Sequence, residues 1–136
     1  MTAPIEIPRQ FLDVPYNGVV IPGSRPVGDL SAGANCQVFA YAILSHFGID
    51  FPPLRSSELW TDTTASVQVD GEPRPLDLLL VNRTSDPFGA HVGLCLGDGS
   101  VIHLAKHIGK PAVWPLDQFA AWPAYGVRIG IKRPLR

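Results

Sequence analysis

Only two cysteines, Cys36 and Cys95, occur in the 136 residues. That is too few for a disulfide framework. Neither sits in a CxxC pair, so a zinc knuckle or a thioredoxin-like motif is not indicated. Reduced thiols and cytoplasmic synthesis are the expectation. Long apolar runs are missing too, since no stretch approaches the roughly 20 residues that a membrane helix needs. The opening MTAPIEIPRQFLDVPYNG has neither a basic leader nor a continuous apolar segment, so no secretory signal is expected. Basic charge is scarce as well: 11 Lys and Arg stand against 12 Asp and Glu, and none of it forms a run. Electrostatically driven nucleic-acid binding is therefore not expected. No repeat appears, and no motif calls for a cofactor.

What is present suits a folded chain. Hydrophobic residues make up 46% and charged residues 17%, the balance of a globular protein rather than a disordered one. The length fits one domain over 1–136, with 1–13 as an N-terminal extension. Fourteen prolines and 13 glycines cut the chain into short elements. Residues 1–34 read as loop and turn, with a short strand near Gly18–Ile21. In NCQVFAYAILSHFG, residues 35–48, Asn35 is a good N-cap and Gly48 a good stop. The residues between them are apolar nearly all round, which predicts a buried helix.

A second short helix is expected over 54–60, then a polar surface loop over 61–74. Strands are predicted at Asp77–Asn82, His91–Leu96, Val101–Leu104, Ala112–Trp114 and Tyr125–Lys132, with a short helix around Leu116–Ala121. One helix followed by a run of strands argues an α+β fold with an antiparallel sheet.

Two groups of residues carry chemistry. Cys36 lies in the first turn of the predicted helix, where free N–H groups and the helix dipole favour thiolate over thiol. AHVGLCLGDGSVIH, residues 90–103, reads as a hairpin with a histidine at each end. If Gly97-Asp98-Gly99 is a three-residue loop, Leu94 faces Ile102 and Gly93 faces His103. His91 and His103 are then diagonal neighbours on one face, about 7–8 Å apart at the backbone, and Gly93 leaves room between them. A two- or four-residue loop would put them on opposite faces. On one face they suit a base and its orienter: His91 to take the thiol proton, His103 to hold its far ring nitrogen. Cys95 and Val101 share that face.

His103 and His107 stand four apart, but HLAKHIGKP reads as a strand entering a turn, so metal binding is not expected. His46 is expected to reach the surface or bond a carbonyl. Asp77, at a strand start, is expected to make turn hydrogen bonds. Trp60, Trp114 and Trp122 are read mainly as packing residues.

Together these residues resemble the NlpC-like family of bacterial cell-wall cysteine peptidases, which are papain-like. That family reads DCSG at its nucleophile where this chain has NCQV. It has GDLV before the histidine strand, and PLDLLLV here is similar, with Asp77 at the aspartate. It has HVGIYLGDG and then a second histidine, and this chain has HVGLCLGDGSVIHLA with the same spacing. VPYNG resembles its PYxxGG segment and PPLR, residues 52–55, its LPR, so the resemblance covers roughly 14–132. It implies a papain-like fold, with a cysteine-bearing helix packed on a small antiparallel sheet.

The resemblance further implies amide hydrolysis by Cys36, His91 and His103, with Tyr16, Asn35, Gln37 and Gly93 contacting substrate. The substrate would be a peptide, usually from cell-wall stem peptides at a γ-D-glutamyl bond to a diamino acid. The departure to NCQV removes an aspartate and two small residues, which bears on substrate identity. A CHAP-type amidase, an acyltransferase of the same broad fold, or a non-catalytic binding module are the alternatives. Export without a signal peptide also stays open.

Overall fold

The computed structural model describes residues 4–136. One antiparallel sheet of six strands organises them, in the order β1-β6-β2-β3-β4-β5. The strands are β1 (Ser66–Val69), β2 (Leu78–Asn82), β3 (His91–Cys95), β4 (Ser100–Leu104), β5 (Pro111–Pro115) and β6 (Val127–Pro134). Three helices accompany them: α1 (Cys36–His46), α2 (Ser56–Thr61) and α3 (Leu116–Phe119).

Helix α1 begins where the sequence places its cap. The Asn35 side-chain oxygen accepts from the Val38 N–H at 2.9 Å, satisfying one of the free donors of the first turn. Gly48, just past the end, takes the left-handed φ of 87° that lets the chain turn away. Between them Phe39, Ala40, Tyr41, Ala42, Ile43 and Leu44 are buried, so the helix is enclosed.

The sheet is covered on both faces because its strands alternate. Val92, Leu94, Ile102 and Leu104 face α1 in one cluster with Phe39, Ile43 and Leu44. Each such buried side chain contributes about 1.5–3 kcal/mol relative to exposure. Cys95 and Val101 point the other way, against Leu79, Val81, Trp114, Phe119 and Tyr125. Phe119 comes from α3 and Tyr125 from the short 3₁₀ turn Pro123–Tyr125, so these short elements close the second face.

Several boundaries differ from the sequence reading, each for a tertiary reason. The 61–74 segment holds β1, which pairs with the C-terminal end of β6 as Ser66↔Pro134 through Val69↔Ile131. An edge strand with two exposed positions shows no clear alternation, so pairing with distant residues decides it. No strand forms at Gly18–Ile21. Val20 instead uses its carbonyl to accept from the Asn35 N–H at 3.0 Å, and its N–H to close a turn on Asn17. Tyr125 belongs to the 3₁₀ turn rather than to the last strand. Residues 4–13 lie against the domain: the Ile5 N–H donates to the Leu96 carbonyl at 2.9 Å, and Phe11 is buried in the main core.

Asp77 sits outside the site and has a structural role. Its carboxylate, 1% exposed, accepts from Arg133 Nε at 2.9 Å and Nη2 at 2.8 Å, and from the Arg74 N–H at 2.7 Å. The pair ties the start of β2 to the end of β6. Truncating one partner of such a pair strands the other. Asp77→Ala is expected to lose about 2 kcal/mol of stability in urea unfolding, because Arg133 keeps partial access to water. A loss under about 1 kcal/mol would show the clamp to be dispensable.

Candidate active site

Cys36 is the first residue of α1 and is half-buried. The backbone N–H groups of Val92, Gln37 and Cys36 itself favour its thiolate, and so does the Arg55 guanidinium. Burial opposes them and is the largest effect, so the thiol is pushed up from its ordinary value. The helix start therefore does not by itself produce a resting thiolate. Desolvation, invisible in the local sequence, outweighs it. Cys95, 1% exposed, is pushed by burial to about 12 and is an inert core thiol.

The β3–β4 hairpin has the three-residue loop on which the pairing of the histidines depends. Leu94 pairs with Ile102 and Cys95 with Val101, and the Leu96 N–H donates to the Ser100 carbonyl at 3.0 Å. Gly97 and Gly99 take φ values of 99° and 85°. A Cβ at Gly97 would also stand 2.5 Å from the Pro75 ring. In this register His91 Nε2 lies 2.8 Å from His103 Nδ1, a hydrogen bond in which one ring nitrogen donates and the other accepts. Gly93 permits the approach, since a Cβ there would meet Val101 at 2.5 Å and His103 at 3.5 Å. Gly93 is thus a packing position behind the pair and does not line the cleft described below.

Aromatic rings fix both imidazoles. Tyr125 stacks on His91 with centroids 4.4 Å apart and planes 15° from parallel. His103 is fully buried, with Trp114 at 4.4 Å and Phe119 at 4.7 Å between centroids. Burial lowers His103 to about 4, helped by nearby His107. Burial also carries His91 well below its ordinary value, with His103 and His107 adding to the effect. Both rings are therefore neutral at physiological pH, and His91 can accept a proton.

A cleft of about 520 Å³ opens beside the thiol, lined by Tyr16, Asn35, Cys36 and Gln37 together with Arg55 and Phe88. Three of the four residues expected to contact substrate, Tyr16, Asn35 and Gln37, thus border one space with Cys36. Tyr16 is held by a bridge to Ala34 and by its N–H donating to the Gly109 carbonyl at 2.8 Å. Burial and the proximity of Cys36 raise its phenol, and Cys36 and Tyr16 both act on the phenol of Tyr125, which burial raises to about 12.

Tyr125 is the residue that sequence reasoning missed at this site. Nothing in WPAYGV announces that a tyrosine will stack on a histidine 34 positions earlier. His107 is exposed and packs on Trp122 at 4.5 Å, apart from any cluster that could hold a metal, of which the described residues contain none. His46 packs edge-on against Phe11 and Phe47.

No protein-family model matches the chain, and no curated protein matches it. Solved structures do. An NlpC/P60 family protein from Bacillus cereus superposes with a TM-score of 0.68 and 24% identity, over 94% of this chain and 38% of that one. The NlpC/p60 domain of the peptidoglycan hydrolase SagA gives 0.60 and 20%, over 93% and 91%. The P60 domain of an antigen from M. avium subspecies paratuberculosis gives 0.58 and 20%, over 92% and 86%. The chain has the papain-like fold of NlpC/P60 domains, and it spans little more than a third of the Bacillus cereus protein.

The buried histidines make stability depend on pH. His103 titrates near its ordinary 6.5 when unfolded and at about 4 when folded, so between those values the unfolded chain binds more protons. Its contribution is complete above about pH 6.5 and is lost as pH falls towards 4, an effect of about 3 kcal/mol. Urea unfolding at pH 7 and pH 4 is expected to show that loss, and His103→Phe to reduce it. Equal losses in both proteins would exclude His103 as the source.

Proposed function

We propose that this protein is a cysteine amidase in which Cys36 is the nucleophile, His91 the general base and acid, and His103 the orienter of His91. The observation that carries the reading is the His91–His103 hydrogen bond, with a neutral His103; it is supported by a helix-start cysteine that opens on a cleft and whose thiolate is favoured by the backbone N–H of Val92, the residue after His91. His91 Nε2 is engaged by His103, which leaves Nδ1 to exchange protons.

The resting pair is thiol and imidazole, because burial raises the one and lowers the other. That protonation state suits general-base catalysis rather than a pre-formed ion pair. As the Cys36 sulfur bonds to the substrate carbonyl carbon, its proton passes to His91 Nδ1. The carbonyl oxygen takes the electron pair, and the N–H groups at the start of α1 are placed to stabilise it. His91 then protonates the amine, the C–N bond breaks, and a thioester remains. Water attacks the thioester, giving a proton to His91, and the carboxylic acid product leaves as the thiol is restored.

A free imidazolium is costly in this surrounding. His103 lowers that cost by accepting from Nε2, and the Tyr125 face lowers it through a cation–π contact. For substrate, the peptide bonds of peptidoglycan stem peptides are favoured, by the resemblance of HVGLCLGDG and its spaced histidine and by the likeness in fold to SagA.

The test requires no substrate. Native protein is treated with iodoacetamide from pH 5 to 9, and each cysteine is followed by peptide mass spectrometry. Cys36 is expected to react at neutral pH while Cys95 stays unlabelled. The rate should fall as pH drops through the depressed His91 value, and His91→Ala should cost on the order of 10²-fold at pH 7. A Cys36 rate that rises only above about pH 8 and ignores His91→Ala would overturn the mechanism. The chain would then be a binding module on a peptidase fold.

A further inference from the structure

His103 Nε2 is the one buried side-chain nitrogen or oxygen among the described residues that has no hydrogen-bond partner. Its other ring nitrogen is bonded to His91. Buried polar atoms are seldom left alone, because each loses its water for nothing in return. The surroundings of this one are aromatic. Trp114 and Phe119 flank the imidazole at 4.4 and 4.7 Å, inclined to it by 67° and 57°. Inclined rings bring an edge of one against a face of the other, and aromatic faces carry negative charge.

A neutral histidine keeps its proton on one nitrogen or the other, and the pocket does not treat the two tautomers alike. A bare Nε2 would set a lone pair among π systems with no donor to meet it. An Nε2–H instead places a weak donor against π density. We infer that Trp114 and Phe119 are positioning residues that hold His103 as the Nε2–H tautomer. Its Nδ1 is then obliged to accept from His91 Nε2–H, which leaves His91 Nδ1 unprotonated and ready for the thiol proton.

The opposite tautomer would reverse the chain of donors: His103 Nδ1–H would donate to His91 Nε2, and His91 Nδ1 would already carry the proton it must receive. The aromatic pocket thus acts on the thiol chemistry two residues away, through the orientation of two protons. Since burial lowers His103 to about 4, the ring stays neutral and the choice of tautomer persists at neutral pH. The consequence for thiol chemistry rests on His91 being the base; the tautomer itself does not.

The experiment is long-range ¹H–¹⁵N correlation NMR on protein labelled with ¹⁵N-histidine at pH 7.5, together with Cys36 alkylation, for wild type, Trp114→Phe and Trp114→Leu. Wild type is expected to show His103 with a protonated Nε2 and a bare Nδ1. Trp114→Phe keeps a π face and should keep both the tautomer and the rate. Trp114→Leu should admit the Nδ1–H form and slow Cys36 roughly threefold. A wild-type Nδ1–H overturns the inference, as does Trp114→Leu with tautomer and rate unchanged. A changed tautomer at an unchanged rate sinks the link to His91. If Trp114→Leu does not fold, Phe119→Leu takes its place. An unreactive wild-type Cys36 with Nε2–H on His103 would remove the proposed function and leave the tautomer assignment standing.

Discussion

The register of the β3–β4 hairpin is the constraint on which the site depends. A strand shifted by one residue turns every side chain to the other face. With the three-residue loop at Gly97-Asp98-Gly99, Val92, Leu94 and Ile102 go to the main core, and His91 and His103 go together to the other side. The apolar face and the histidine face therefore secure one another. Hydrophobic burial against α1 penalises any slip, and the hydrogen bond between the imidazoles follows as a by-product of core packing. Gly93 completes the arrangement by leaving its side-chain volume to Val101 and His103.

Desolvation is the second influence, and it acts on the cysteine, the histidines and the tyrosines of the site. It raises the thiol of Cys36 and the phenols of Tyr16 and Tyr125, and it lowers both histidines. All of these groups are driven to their neutral forms. The groups set to exchange protons therefore carry no charge at rest. On the proposed mechanism charge separates only during proton transfer, and the amides at the start of α1, His103 and the Tyr125 ring are the groups that would receive it. Pre-orientation of such groups avoids reorganisation at the moment of reaction.

The outer parts of the molecule serve these two. Asp77 and Arg133 clamp β2 to β6, so the strand beside β3 is fixed at its start. Lys132, fully buried, donates to the carbonyls of Trp60 and Asp62 at the end of α2. That helix carries Ser56, Ser57 and Glu58 on the cleft wall, with Arg55 just before it, so the buried cation helps hold the wall in place.

Much of this is legible in the amino-acid sequence by itself. Asn35 as a cap, Cys36 in the first turn, the three-residue loop and the shared face of the histidines all rest on neighbours within a few positions, and short-range geometry is what a sequence encodes most directly. What only the tertiary structure decided involves residues far apart. Tyr125 reaches His91, Trp114 and Phe119 enclose His103, Arg133 reaches Asp77, and β1 is a strand because β6 lies beside it. The direction of the thiol shift belongs to the same group. The helix start favours thiolate locally, but burial is a property of the whole packed chain, and here burial is the larger effect.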